Sequence, residues 1–157
     1  MDLVIARIIH VLSIVMWIGG VGFVTTVLFP SIRRSTAPEV RLAAFVQFER
    51  TFSWQAIISV ALAGASGLYM TWRLDAWSRF AVARFWWMDA MVALWAVFAL
   101  MLFVIEPLVV HPRLRLALAS ANASQQFDRM ERFHQVLLVL SLATVLGAVG
   151  GSHGLWA

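Results

Sequence analysis

Apolar residues fill the chain in four long runs, near Leu3 to Phe29, Trp54 to Trp72, Phe85 to Val110 and His134 to Trp156. Each reaches the roughly 20 residues that an α-helix needs to cross about 30 Å of hydrocarbon. The pattern predicts an all-α fold: an integral membrane bundle of four antiparallel helices, folded as one domain over 1–157. The first run is too long for a secretory h-region and has no small-residue cleavage site, so it is expected to stay as a helix. No repeat, low-complexity segment or second domain interrupts the plan.

The polar connections refine it. Thr36-Ala37-Pro38-Glu39 combines a capping threonine, a proline permitted in a first turn and a glutamate at the third helical position, so the second helix is expected to begin near Pro38. From Pro38 to Arg73 such a helix would be about 54 Å long and would project beyond the membrane. A start near Asn122 or Ser124 would extend the fourth helix on the same, cytoplasmic side. Phe45, Phe48 and Phe52, with Phe127 and Phe133, are expected to pack these extensions together.

Composition closes off other classes. The chain is 62% hydrophobic and 13% charged, with mean hydropathy +0.85, which excludes an ordinary water-soluble globule. It has no cysteine, which removes disulfides, thiolate metal sites, covalently attached haem and cysteine nucleophiles. The net charge of +4 comes from twelve basic residues, all arginine. They flank membrane spans, so they set orientation among lipids and do not signal nucleic acid. Arg33, Arg34, Arg41, Arg50, Arg113, Arg115, Arg129 and Arg132 follow the first and third helices, against Arg7, Arg73, Arg79 and Arg84 on the other side. That bias predicts that the side with eight arginines is cytoplasmic and that both termini face the periplasm or outer space. Trp72, Trp77, Trp86, Trp87 and Trp156 collect on the outer side as an interfacial belt.

Ionisable groups inside a membrane are costly and usually face a bundle interior. They are His10, Asp89, Glu106, His111, His134 and His153. His10, Asp89 and His153 fall near the outer face; His111 and His134 fall near the inner one. Two imidazoles at one depth on facing helices can supply both axial nitrogens of a haem b. His10 and His153 are therefore the expected iron ligands, with His111, His134 and Asp89 as secondary metal candidates. Gly150 and Gly151, with Gly147 and Gly154, would clear space for a macrocycle beside His153, although close helix packing explains such glycines equally well. Trp17 shares a helix face with His10 and could border the ring. Arg7 is a propionate partner, with Arg73, Arg79 and Arg84 as further candidates. His134 and His153 lie 19 positions apart, about 100° around their helix and about 28 Å along it, so one haem is better supported than two. Glu106, the lone acid in its half of the bundle, pairs with an inner arginine or serves a proton path.

His10-Val11-Leu12 through Met16-Trp17-Ile18-Gly19-Gly20 resembles the first helix of the CopD-like and HemJ-like four-helix membrane proteins, which open with a histidine followed by Trp-x-Gly or a close variant. The likeness continues more loosely through Phe48-Glu49-Arg50, Phe85-Trp86-Trp87-Met88 and Phe127 to Phe133. The resemblance implies a bundle in a bacterial inner membrane; its HemJ-like side implies haem b and oxidation of protoporphyrinogen, and its CopD-like side implies copper handling. Only His10 carries over as a ligand. Where the HemJ-like group has a Trp-Leu-His-x-Lys type pattern, this chain has Trp87-Met88-Asp89-Ala90-Met91.

The functional expectation is a membrane b-type haem protein acting in electron transfer or a haem-dependent redox step, with a quinone or another redox protein as partner. Copper transport through the same histidines and Asp89 is the main rival. A noncatalytic accessory subunit of a larger membrane complex is the third.

Overall fold

The computed structural model describes residues 1–110 and 122–155. Helix α1 spans Asp2–Ser35, made of Asp2–Phe23, a π-helical stretch Val24–Leu28 and Phe29–Ser35. A 3₁₀ turn at Pro38–Val40 leads into α2, Arg41–Arg73. Short 3₁₀ segments at Ala76–Ala81 and Ala83–Phe85 connect to α3, Trp86–Leu100, which continues as a π-helix through Met101–Val110. Helix α4 is Ala123–Ser152. Four segments are long and apolar enough to cross a membrane: Asp2–Ser35, Phe52–Arg73, Ala83–Leu108 and Ala123–Ser152. That points to a multi-pass membrane protein, and the outward faces agree, with Ile5, Leu12, Leu68, Val139 and Leu146 all more than half exposed.

The second and fourth helices start where the sequence expects them, the second with the 3₁₀ turn from Pro38 and the fourth at Ala123, between Asn122 and Ser124. The capping role expected of Thr36 does not occur. Thr36 terminates α1, with an extended backbone and its N–H bonded to the Ile32 carbonyl at 3.0 Å, and the following helix starts without a side-chain cap.

Cross-helix contacts fix the ends. Asp2 accepts from Tyr69 at 2.9 Å and from Arg73 at 3.0 Å. His10 meets Ala63, and Gly20 meets Phe52, so residues early in α1 touch residues late in α2. Gly147 and Gly151 of α4 receive the rings of Trp86 and Trp87 from the start of α3. Both chain ends therefore lie with the α2–α3 connection, at what we call the terminal end. At the far end Arg33 ties α1 to α4 through Asp128 at 2.6 Å and through Glu131.

Two apolar clusters fill the interior. The far-end cluster centres on Phe29, Phe45 and Phe127; Phe29 stacks on Phe45 at 4.5 Å and meets Phe127 edge-on at 5.3 Å. Of the phenylalanines expected to pack the extensions, Phe45 and Phe127 do so, whereas Phe48 and Phe133 are exposed, 57% and 40%. Phe29 takes the central place instead. The second cluster, with Trp17, Val21, Val60, Ala63, Leu94, Phe98 and Leu137, lies nearer mid-bundle. Buried Ser13, Thr25 and Ser141 each donate to the carbonyl four residues earlier, at 2.7 Å. This satisfies hydroxyls that lipid could not.

The two π-helical stretches have a shared local cause. A proline ring clashes with the carbonyl four residues before it and offers no N–H. Pro107 lies inside one stretch and Pro30 just after the other, and widening to i→i+5 spacing relieves the clash.

Candidate functional site

The predicted ligands are not gathered around one gap. The His10 Nδ1 lies 2.9 Å from the Ala63 carbonyl and 3.1 Å from Ser66 Oγ, so the ring is turned toward α2, beside Gly67. A carbonyl can only accept, so Nδ1 carries the proton and Nε2 keeps the lone pair. His153 is the exposed residue at the end of α4, its Nδ1 donating to the Val149 carbonyl at 2.9 Å. Around it the glycines have other duties. Gly147 and Gly151 seat Trp86 and Trp87, and Gly154, at φ +81°, closes the helix with Leu155 N–H bonded to the Gly150 carbonyl at 2.9 Å. This is a Schellman-type end. The space at Gly147 and Gly151, where a macrocycle beside His153 was expected, is taken by tryptophan rings, so the side chains as arranged do not fit a haem there.

The remaining candidates also have definite places. Trp17 is 5% exposed and meets Phe98 edge-on at 4.8 Å. Arg7 and Asp89 are exposed, and Asp89 makes no ion pair among the described residues. Arg73 holds Asp2, while Arg79 and Arg84 lie over the Phe85 ring at 5.4 and 5.0 Å. His111, Arg113, Arg115 and Trp156 lie outside the described residues. Among those described, no group of three or more histidines and acids is placed to hold a metal ion.

What the structure does assemble is a cavity of about 290 Å³ between the two apolar clusters. Helix α1 contributes Trp17, Val21, Val24 and Leu28, α2 contributes Phe45, Glu49, Phe52 and Ser53, and Leu102, Glu106 and His134 complete the wall. Both π-helical stretches border it, through Val24 and Leu28 and through Leu102 and Glu106. Such widened turns are frequent at functional sites. Phe23 and Phe48, both more than half exposed, mark where the cavity reaches the bundle surface.

Its polar groups are few and specific. Ser53 donates to Glu106 Oε1 at 2.6 Å. Glu49 lies just before the apolar span that opens at Phe52; burial and the nearby Glu106 charge push its carboxyl up to about 7. His134 donates Nδ1–H to the Met130 carbonyl at 2.9 Å, and its ring is boxed by Phe29 at 5.2 Å and Phe45 at 5.8 Å. Trp17 Nε1 is buried without an acceptor among the described residues. An indole N–H left unpaired inside a protein calls for a partner.

Sequence reasoning placed Glu106, Trp17 and His134 but not in one site, and it passed over Glu49 and Ser53. A usable signal existed: Leu42, Phe45, Glu49, Phe52, Ala56, Val60 and Ala63 recur at helical spacing, so Glu49 stands on the inward stripe. Prolines 30 and 107 marked the distorted turns beside it. No family model, curated protein or solved structure matches this chain.

Proposed function

We infer that this is a multi-pass membrane protein, an antiparallel bundle of a bacterial inner membrane with periplasmic termini. In the cytoplasmic half it binds a neutral, lipophilic molecule bearing a hydrogen-bond-accepting head group. A membrane quinone is the representative of that ligand class. The orientation follows the arginine excess after α1 and α3. The ligand chemistry is carried by one observation: the buried Trp17 N–H, without a partner among the described residues, beside a largely apolar, aromatic-walled cavity. Apolar walls with a few convergent polar groups and a volume near 300 Å³ suit a small molecule. Carboxylates at Glu49 and Glu106 disfavour an anionic head group, and the opening between Phe23 and Phe48 suits entry from lipid.

The test is equilibrium binding of a short-chain quinone analogue to the purified protein in nanodiscs. Trp17→Phe keeps an aromatic ring at the site and deletes the donor, so affinity should fall about three- to tenfold, the value of one net hydrogen bond. Unchanged affinity in that variant, or no saturable binding to the native protein, would sink the assignment.

A second reading, haem b ligation by His10, is favoured by one detail. Nδ1–H held by a backbone carbonyl with Nε2 left as the lone-pair nitrogen is the tautomer metal-bound histidines adopt. An absorption spectrum of protein expressed with ample haem decides it: a Soret band lost in His10→Ala supports the haem, and a colourless protein removes it.

A further inference from the structure

We propose that Glu49 and Glu106 form a carboxyl pair at the cavity that holds at most one proton, and that filling the cavity with its neutral ligand draws this proton from solvent onto Glu49. This rests on the ligand-binding reading above and adds the proton that accompanies the ligand. The two acids come from different helices and line the same 290 Å³ space. Their inequivalence is visible in their partners: Glu106 accepts a hydrogen bond from Ser53 at 2.6 Å. Glu49 has no hydrogen bond or ion pair among the described residues, and two carboxylates facing one apolar cavity cannot both ionise cheaply. Burial and the Glu106 charge accordingly push Glu49 up to about 7.

Among the described residues, the other groups around Glu49 supply no compensating charge. Helix α1 presents Trp17, Val21, Val24 and Leu28, none titratable in this range, and α4 presents His134 with its Nδ1–H committed to Met130. Ser53 from its own helix is neutral. A neutral ligand that displaces water from the cavity removes solvation from Glu49, which favours the acid form further. The proton comes from bulk solvent and returns to it on release, approaching one for each ligand above the pH at which the empty cavity leaves Glu49 ionised. In the acid form Glu49 O–H becomes a hydrogen-bond donor, so with the Trp17 indole the loaded cavity offers two donors to a head group of acceptors.

Two measurements on the full chain in nanodiscs test this. Infrared difference spectra across neutral pH should show a protonated carboxyl band titrating near pH 7 that is missing in Glu49→Gln. Binding of the short-chain quinone analogue should weaken by up to about tenfold per pH unit above that midpoint. Glu49→Gln should bind independently of pH, and Glu106→Gln, with the like charge gone, should move the midpoint to lower pH. His134→Gln should leave the midpoint in place. A band that survives in Glu49→Gln, or pH dependence that survives there and vanishes in His134→Gln, overturns the proposal. Saturable but pH-independent binding overturns the proton step alone, whereas a Glu49 band with no binding at any pH overturns the ligand reading and the uptake that depends on it.

Discussion

Replacing Gly64 by alanine tests whether the glycines of this bundle are seats for aromatic rings. A Cβ at Gly64 would lie 2.5 Å from Trp95 Cε2 and Nε1 and 2.6 Å from Cζ2. Carbon atoms rest about 3.5 Å apart, so the indole must retreat by about 1 Å. It cannot do so freely, because Trp95 packs against the mid-bundle cluster and its Nε1–H donates to the Val60 carbonyl at 2.9 Å. Overpacking of this kind costs about 1–3 kcal/mol, and loss of the hydrogen bond adds about 1 kcal/mol. Alanine returns about 1 kcal/mol through helix propensity. Gly19→Ala is the control, since a Cβ there meets nothing within 4 Å and the propensity gain is shared. Unfolding of the detergent-solubilised protein, titrated with sodium dodecyl sulfate and followed by circular dichroism, should place Gly64→Ala about 2–4 kcal/mol below Gly19→Ala. Trp95→Phe should recover part of that loss in the double variant, with a coupling of about 1 kcal/mol or more. If Gly64→Ala lies within about 0.5 kcal/mol of the control, the close approach is not a structural constraint and the same account fails for Gly147 and Gly151.

Phe29→Ala, at a fully buried ring stacked on Phe45, should cost about 3–5 kcal/mol in the same assay; a loss under about 1 kcal/mol would mean that the far-end cluster does not hold the extensions. Arg33→Ala should cost no more than about 1 kcal/mol and the loss should shrink in high salt, since Arg33 and Asp128 are each more than 40% exposed. His153→Ala should change stability by less than about 0.5 kcal/mol, because the ring is exposed and bonds only within its own helix turn; loss of a visible spectrum in that variant would restore His153 as a haem ligand. Glu49 makes stability pH-dependent with a definite sign. Its carboxyl rises from 4.5 to about 7 on folding, so the unfolded chain releases the proton first and stability falls as pH rises from 4.5 to about 7, then levels off. Glu49→Gln should flatten that slope and be more stable than the native chain at pH 8 by about 2 kcal/mol, allowing for partial exposure.

How much of this was legible depends on which coordinate of a helix is asked for. Position along an axis follows from counting residues at about 1.5 Å each, so the four spans, the helix starts near Pro38 and near Asn122 or Ser124, and the placing of His10 and His153 toward the terminal end could all be read in advance. Direction around an axis depends on which neighbour packs where. His10 shows the consequence: it shares an end of the bundle with His153, yet its ring turns to the Ala63, Ser66 and Gly67 face of α2. That face is attractive because small side chains let a ring approach and its buried Nδ1–H needs an acceptor. The glycines near His153 were ambiguous for the same reason. Small residues signal that something comes close, and only the facing helix decides whether it is a cofactor or, as at Gly147 and Gly151, a tryptophan.

Glu49 escaped notice for a different physical reason. Searching for charges within the apolar runs assumes that the costly region ends where hydropathy falls, and Glu49 precedes the span that opens at Phe52. The start of α2 is itself covered by Phe29 and Phe127, which pack on its Phe45, so a position beyond the apolar run is still desolvated, by protein instead of lipid. Burial in a membrane bundle with projecting helices is therefore set by tertiary cover as well as by depth. The acid that matters most to the cavity is the one for which those two measures disagree.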